Sequence, residues 1–351
     1  MKKSLGAMST LVSAAAAAVF LLGACSSGDA GQAAEEPAAA VAESPAAAVA
    51  ESPAADTAAA EPLKFACILK DTSATFWKAV VAGCEQAAAD LGVEVTILSG
   101  TTDMDIEGSV ANFEDAITGG YAGIAIAPSD SVALVPTLEK AVAAGVPVVA
   151  MDTGFESDAA LSTVASDSVA GAKAATVYLA EAIGGKGKVA MLACPLSIST
   201  CKDLATGFDE AIKAYPEITV VGKPLTNADR VLSFNAMQDI LSAHPDLAGF
   251  FGISSAEGMG GMEAAEQAGK SVVGVSRNCA LDELNSIESG KGLTACLAQF
   301  PKQMGYLAIK SLVDYNKGAS ILAKQDSGLL IIDKPRAKEF IDLGEFNGSP
   351  D

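Results

Sequence analysis

Gly119-Gly120-Tyr121-Ala122-Gly123-Ile124-Ala125-Ile126-Ala127-Pro128 and, one helix-length further on, Ala144-Gly145-Val146-Pro147-Val148-Val149-Ala150-Met151-Asp152 are the stretches that decide how this chain folds. Each sets a glycine turn before a short apolar run too continuous for a half-solvated strand, the pattern of a strand buried on both faces. An amphipathic stretch separates them, so the pair predicts a βαβ unit and a parallel sheet. The alternation continues in both directions. Strands are expected at 65–69, 93–98, 123–127, 146–151 and 161–164, and again at 188–192, 218–221, 248–253, 271–275 and 293–298, with helical segments between most of them. Two successive series of similar size predict an α/β protein with two Rossmann-like lobes rather than one ten-stranded sheet.

Upstream of this body the pattern changes. Lys2 and Lys3 precede an apolar run over 11–22 that ends in Leu22-Gly23-Ala24-Cys25. This resembles a bacterial lipoprotein signal peptide, with Cys25 as the residue that is lipidated and left as the new N-terminus. Residues 26–63 follow as an expected disordered acidic tether. Pro37-Ala38-Ala39-Ala40-Val41-Ala42-Glu43-Ser44 repeats at 45–52, and between 26 and 62 the acids meet no base. Such a stretch has too little apolar surface to offset the entropy of ordering it.

Composition narrows the function. In 351 residues, 23 Lys and Arg face 43 Asp and Glu, a formal net charge of −20, which disfavours nucleic acid as a partner. The one histidine, His244, excludes two-histidine zinc sites and H-E-x-x-H chemistry, and Ser242-Ala243-His244-Pro245-Asp246 reads as a helix end turning into a loop. No metal and no cofactor are expected.

In open parallel sheets ligands bind beyond the carboxyl ends of the strands, so the residues just after each strand are the candidates. The first strand runs into Lys70 and then Phe76-Trp77, the latter the sole tryptophan. Phe76, Val80, Cys84, Ala88 and Leu91 share a helical face; Trp77 falls off it and is expected to offer a stacking surface. Asp152, after a continuous apolar strand, is expected to accept ligand hydroxyls or cap a helix. Arg277 could fix a carboxylate or pair with an acid such as Asp282. Lys70 and Gln299 are further cleft candidates, with Lys202, Asn227, Ser254 and Ser255 as additions. Such a cleft suits a polar, carbohydrate-like molecule, acidic ones included.

The order and spacing of several runs resemble the type I periplasmic binding proteins of sugar-type ABC importers, the ribose-binding-like branch. The two opening stretches carry the resemblance, together with Ala165-Ser166-Asp167-Ser168-Val169-Ala170-Gly171, Gly184-Gly185-Lys186-Gly187-Lys188-Val189, Ala243-His244-Pro245-Asp246-Leu247, Ala265-Glu266-Gln267-Ala268-Gly269-Lys270, and Gln299 through Met304-Gly305-Tyr306. The resemblance implies two lobes joined by three crossings, an N-terminal lobe of 64–166 plus 299–328 and a C-terminal lobe of 167–298 plus 329–351. It also implies a ligand held between them and hinge closure presented to a membrane permease. Where sugar binders of this branch have Asn-Pro-Phe-Phe, this chain has Ala74-Thr75-Phe76-Trp77, and where they have Asp-Arg it has Asp152-Thr153. Their arginine ahead of Gly207-Phe208 is Leu204, with Lys202 nearby. Their Asn-Asp is Ser254-Ser255, and their acid after Val272-Val273-Gly274 is Ser276, followed by Arg277 and Asn278. Gln299 is kept.

With Cys25 set aside, six cysteines remain in an exported chain, and disulfides are expected. Proximity favours Cys67 with Cys84, Cys194 with Cys201 and Cys279 with Cys296; buried free thiols are the alternative for the strand cysteines. The expected function is a monomeric, lipid-anchored, extracytoplasmic receptor that captures a small polar ligand (a sugar, polyol or sugar-like molecule) and delivers it to an ABC permease, with no bond chemistry. The alternative is a sensor that hands its closed form to a chemoreceptor or kinase. No P-loop spacing, G-x-S-x-G or dinucleotide fingerprint supports an enzyme.

Overall fold

Alternate residues of the first strand, Lys64–Leu69 (β1), point to opposite sides of a sheet, and both sides are covered. Phe65, Cys67 and Leu69 enter one apolar cluster, while Ala66 and Ile68 enter another. This is the physical content of the continuous apolar runs in the sequence. The computed structural model describes residues 61–342; the expected signal peptide, Cys25, most of the expected tether and residues 343–351 lie outside the described residues.

After β1 the chain continues through Thr75–Leu91 (α1), Glu94–Ser99 (β2), Ile106–Thr118 (α2), Gly123–Ile126 (β3), Val135–Ala143 (α3), Val148–Met151 (β4) and Ser162–Ala165 (β5). It crosses to the second lobe for Ser168–Ala182 (α4), Lys186–Leu192 (β6), Ser199–Ile212 (α5), Glu217–Gly222 (β7), Arg230–Ala243 (α6), Leu247–Gly252 (β8), Ser255–Gln267 (α7), Val273–Asn278 (β9), Leu281–Ser289 (α8) and Ala295–Gln299 (β10). Pro301–Asn316 (α9) and Lys324–Asp326 (β11) return to the first lobe, and Leu329–Asp333 (β12) and Lys334–Asp342 (α10) end in the second.

The two sheets share one plan, with strand orders β11-β5-β4-β3-β1-β2 and β12-β10-β9-β8-β6-β7. All pairs are parallel except β10 with β12. The fold is therefore a two-lobed α/β architecture with three crossings, after β5, β10 and β11. Ser166 Oγ lies 3.0 Å from Ser327 Oγ and donates to the Gly328 carbonyl at 2.9 Å, tying the first crossing to the third.

All ten expected strands form. The sequence reading misses β11 and β12: Lys324-Gln325-Asp326 is polar and follows no strand pattern, yet it completes an edge by pairing with β5. In each lobe a helix pair packs with a glycine at the contact. A Cβ at Gly83 of α1 would sit 1.9 Å from the Lys302 carbonyl oxygen of α9, and one at Gly207 of α5 would sit 2.3 Å from that of Val169 in α4. His244 caps the C-terminus of α6, as its surrounding run implied.

Cys194–Cys201 and Cys279–Cys296 are disulfides. The expected Cys67–Cys84 bond is not formed; these two remain thiols with sulfurs 3.0 Å apart. Both are fully buried between β1 and α1. The hydrogen bond that the Cys84 thiol shares with Cys67, together with burial, pushes the Cys84 thiol well up, which suppresses the thiolate that disulfide chemistry requires.

Candidate functional site

The carboxyl ends of both sheets face a shared cavity of about 350 Å³. From the first lobe come Lys70 after β1, Asp103 and Met104 after β2, Asp152 after β4, and Phe76 and Trp77 in the first turn of α1. From the second come Cys194 after β6, Asn227 after β7, Ile253 and Ser254 after β8, and Arg277 and Asn278 at the end of β9.

The aromatic wall differs from the expectation. Trp77 is 3% exposed and shares a core cluster with Phe65, Phe76 and Val80, so it is not off the core. Both aromatics line the cavity, edge to face with centroids 4.9 Å apart. The reason is local. The first turn of α1 lies at the cleft, and the loop after β2 folds over it, so that the indole Nε1 donates to Asp103 Oδ1 at 2.8 Å. Lys70 Nζ stands 5.7 Å from the indole centroid.

A polar chain crosses between the lobes. Lys70 Nζ donates to Thr153 Oγ1 at 2.9 Å, and Thr153 Oγ1 donates to Asp152 Oδ2 at 3.0 Å. Arg277 Nη2 donates to Asp152 Oδ1 at 3.3 Å and to Gln299 Oε1 at 2.6 Å, and Gln299 Nε2 donates to Asn278 Oδ1 at 2.8 Å. Asp152 adopts the left-handed backbone region, φ 57°, which turns the chain after β4. Burial lowers the Arg277 guanidinium from its ordinary value, against the opposing field of Asp152. The Arg277 partner is thus Asp152 and not Asp282, which pairs with Arg230 at 3.0 Å. Two buried side-chain atoms on the cavity have no partner: Arg277 Nε and Asn227 Oδ1.

The remaining candidates divide. Ser254 and Ser255 line the cavity, but their hydroxyls are committed to Glu257 and Glu283. Thr153 and Gln299 stand behind Asp152 and Arg277 and do not line the cavity. Ser276 is fully buried beneath it and donates to Glu283. Lys202 is exposed outside the cavity, its Nζ 2.9 Å from Glu156 Oε1 on the other lobe; on α5 it is Thr200, Cys201 and Leu204 that line the cavity.

Sequence reasoning missed Asp103, Glu257, Glu283 and Arg230. The signal for Asp103 is its place just after the second strand. Burial pushes its carboxyl up to about 6, against the pull of Lys70 and the indole N–H. Burial likewise pushes Glu283 up to about 7 and raises Glu257, although each accepts several hydrogen bonds. Glu257 takes Thr226 Oγ1 and the Ala228 N–H; Glu283 takes Ser255, Ser276 and the Ala280 N–H.

The loop closed by Cys194–Cys201 makes the contacts to the first lobe on its side of the cleft. The Ser131 N–H donates to the Ser197 carbonyl at 3.2 Å, the Gly154 N–H to Ser199 Oγ at 2.9 Å, and Thr200 Oγ1 to the Asp152 carbonyl at 2.9 Å. Among the described residues no group of His, Cys, Asp or Glu is placed to hold a metal ion.

The profile of a family described as periplasmic binding protein domain matches residues 65–320. The ribose import binding protein of Bacillus subtilis is 31% identical over 70% of this chain and 79% of its own length, and that of Escherichia coli 28% over 77% and 90%. An ABC transporter solute-binding protein from Agrobacterium vitis, solved with bound α-D-tagatopyranose, superposes with a TM-score of 0.77 at 29% identity, covering 81% of this chain and 98% of that one. One from Agrobacterium radiobacter in complex with D-arabinose gives 0.76 at 27% identity, over 80% and 98%.

Proposed function

We propose, starting from the fact that the chain belongs to the periplasmic binding protein domain family, that it captures a neutral sugar or polyol between its lobes and presents it to an ABC permease. Family members are extracytoplasmic binding proteins, not enzymes, and this chain is read as one that performs no bond chemistry. The observation that carries the ligand reading is the Asp152–Arg277 contact, made across the cleft at the wall of a cavity formed by both sheets. A carboxylate and a guanidinium side by side, with Arg277 Nε unpartnered, offer acceptors and donors matched to adjacent hydroxyls.

Neutrality follows from the charges. Arg277 has Asp152, Arg230 has Glu263 and Asp282, and Lys70 lies in the field of Asp103. The two arginines of the cavity are thus paired, and Lys70 donates to Thr153 with Asp103 nearby, which favours a ligand without a carboxylate over a sugar acid. Lys70, Phe76, Trp77, Asp152, Asn227, Ser254, Ser255 and Arg277 are the proposed contacts. Thr153, Ser276 and Gln299 are proposed as the groups behind them.

The reading extends to the parts outside the described residues: Cys25 carries a lipid, 26–63 is the tether, and the monomeric body works on the outer side of a bacterial membrane. The lobes are proposed as 64–166 plus 299–328 and 167–298 plus 329–351.

A thermal-shift screen of the full chain against pentoses, hexoses, polyols and sugar acids tests the ligand class. A ligand at a hundred times its Kd stabilises by about 2.7 kcal/mol, a clear melting shift. The expected result is a shift with a neutral sugar or polyol that disappears in Asp152→Ala. A shift confined to sugar acids, or none at all, overturns the reading.

A further inference from the structure

We infer that the ligand presents an unhydroxylated carbon, such as the methyl group of a 6-deoxy sugar, to the β6–α5 side of the cleft. This deepens the neutral-sugar reading and rests on it.

The strand order of the second sheet grades the cavity. Passing from β9 to β8 and β6, the chain offers Arg277 and Asn278, then Ile253 with Ser254, whose hydroxyl is committed to Glu257, then Cys194. The buried ion pair therefore belongs to the β9 side. On the β6 side, beside Thr200, the apolar lining is Met104 from the first lobe with Cys194, Ile198, Cys201, Leu204 and Ile253 from the second. These six belong to one apolar cluster, so the wall is an outcrop of the core of the second lobe rather than isolated side chains. Each second-lobe member is at most 8% exposed, and the disulfide fixes two of them.

The polar atoms of that loop that meet the first lobe already have partners. Thr200 Oγ1 serves the Asp152 carbonyl, Ser199 Oγ takes the Gly154 N–H, and the Ser197 carbonyl takes the Ser131 N–H. A hydroxyl pressed against this wall would lose its water and gain no partner from these groups, whereas a methyl group loses nothing. Asn227, in the loop after the neighbouring strand β7, is the bordering exception, with its Oδ1 free. We assign it to a ring hydroxyl next to the methyl-bearing carbon.

The test is calorimetric titration of the full chain with pairs that differ by a single oxygen: D-fucose and D-galactose, L-fucose and L-galactose, L-rhamnose and L-mannose. In the pair whose ring configuration fits, the deoxy member is expected to bind about 10- to 100-fold tighter, the range within which an apolar pocket discriminates such differences. Leu204→Ser should narrow that ratio and Asn227→Ala should leave it in place while weakening both members. The ratio in the unmodified protein decides the matter even where a variant fails to fold. Equal binding within the fitting pair, or tighter binding of the hydroxylated member lost in Asn227→Ala, overturns the inference and leaves the sugar reading standing. Silence from every pair and from pentoses and polyols overturns both.

Discussion

In the first lobe the loops that carry the cleft are held by aspartates acting on their own neighbourhoods. Asp71 accepts the N–H groups of Ser73 and Ala74 after β1, Asp105 accepts those of Thr101 and Gly108 after β2, and Asp130 accepts those of Val132 and Ala133 after β3. In the second lobe the equivalent loops are held from a distance. A disulfide closes the loop after β6 and another joins the end of β9 to β10. Glu257 reaches the loop after β7, and Glu283 ties the starts of α7 and α8 to β9. The backbones differ accordingly. Among the described residues, Asp152 is the one non-glycine residue of the first lobe at positive φ, while the second lobe has Asn227, Ala228, Asn278 and Cys279. Each such residue costs about 1 to 3 kcal/mol, and it persists where its surroundings over-determine it. The same sheet order therefore supports two kinds of loop: relaxed ones that capping stabilises, and strained ones that need staples.

Reduction is the strongest way to break that contrast. Each disulfide of the second lobe is worth about 2 to 4 kcal/mol, and the first lobe has thiols already. Hydrogen exchange in reductant should show lost protection in β6, β9 and β10 and unchanged protection in β1 to β4. Equal loss in both lobes would mean that the staples serve the whole body. Titration comes next in size. Glu283, raised to about 7 by burial, binds its proton in the native state over a window in which the unfolded chain has released it. Its contribution is full below the ordinary glutamate value and is lost as pH rises to about 7, at up to about 1.4 kcal/mol per pH unit. Melts across that range should flatten in Glu283→Gln, most of all above pH 6. Asp103→Asn in the first lobe should flatten the lower part, since Asp103 is raised to about 6. If Glu283→Gln leaves the upper slope unchanged, the buried carboxyl is not what titrates there.

This contrast also explains what the sequence made visible. The ten core strands were legible because burial on both faces writes itself as continuous apolar runs, and the candidates next to them followed from where strands end. β11 was not legible, because Lys324-Gln325-Asp326 gains strand structure only from its neighbour β5. Glu257 and Glu283 were hidden for a related reason. Charged residues in the first turn of a helix read as solvated, and only the folded loops bring them the donors that let them be buried. Trp77 escaped because helical periodicity describes one packing face, whereas the first turn of α1 touches both the core and the cleft.

The capping side of the comparison predicts a smaller effect. Asp71→Ala removes two local backbone hydrogen bonds and should cost about 1 kcal/mol in a chemical melt, without altering protection in the second lobe. A larger loss spreading to β6 or β9 would show that this loop, too, is held from a distance.

The smallest expected effect belongs to Lys202, and it separates bonding between the lobes from proximity. Its ammonium meets Glu156 across the mouth of the lobes in an exposed, salt-screened pair, while one residue earlier Cys201 and two residues earlier Thr200 carry the disulfide and the bond to the Asp152 carbonyl. Lys202→Ala should therefore leave both the melting temperature and the sugar affinity where they are. Thr200→Val, which removes the adjacent buried bond across the same boundary, should weaken the affinity. A lysine variant that matches the threonine variant would place the interlobe contact on the surface rather than in the floor of the cleft.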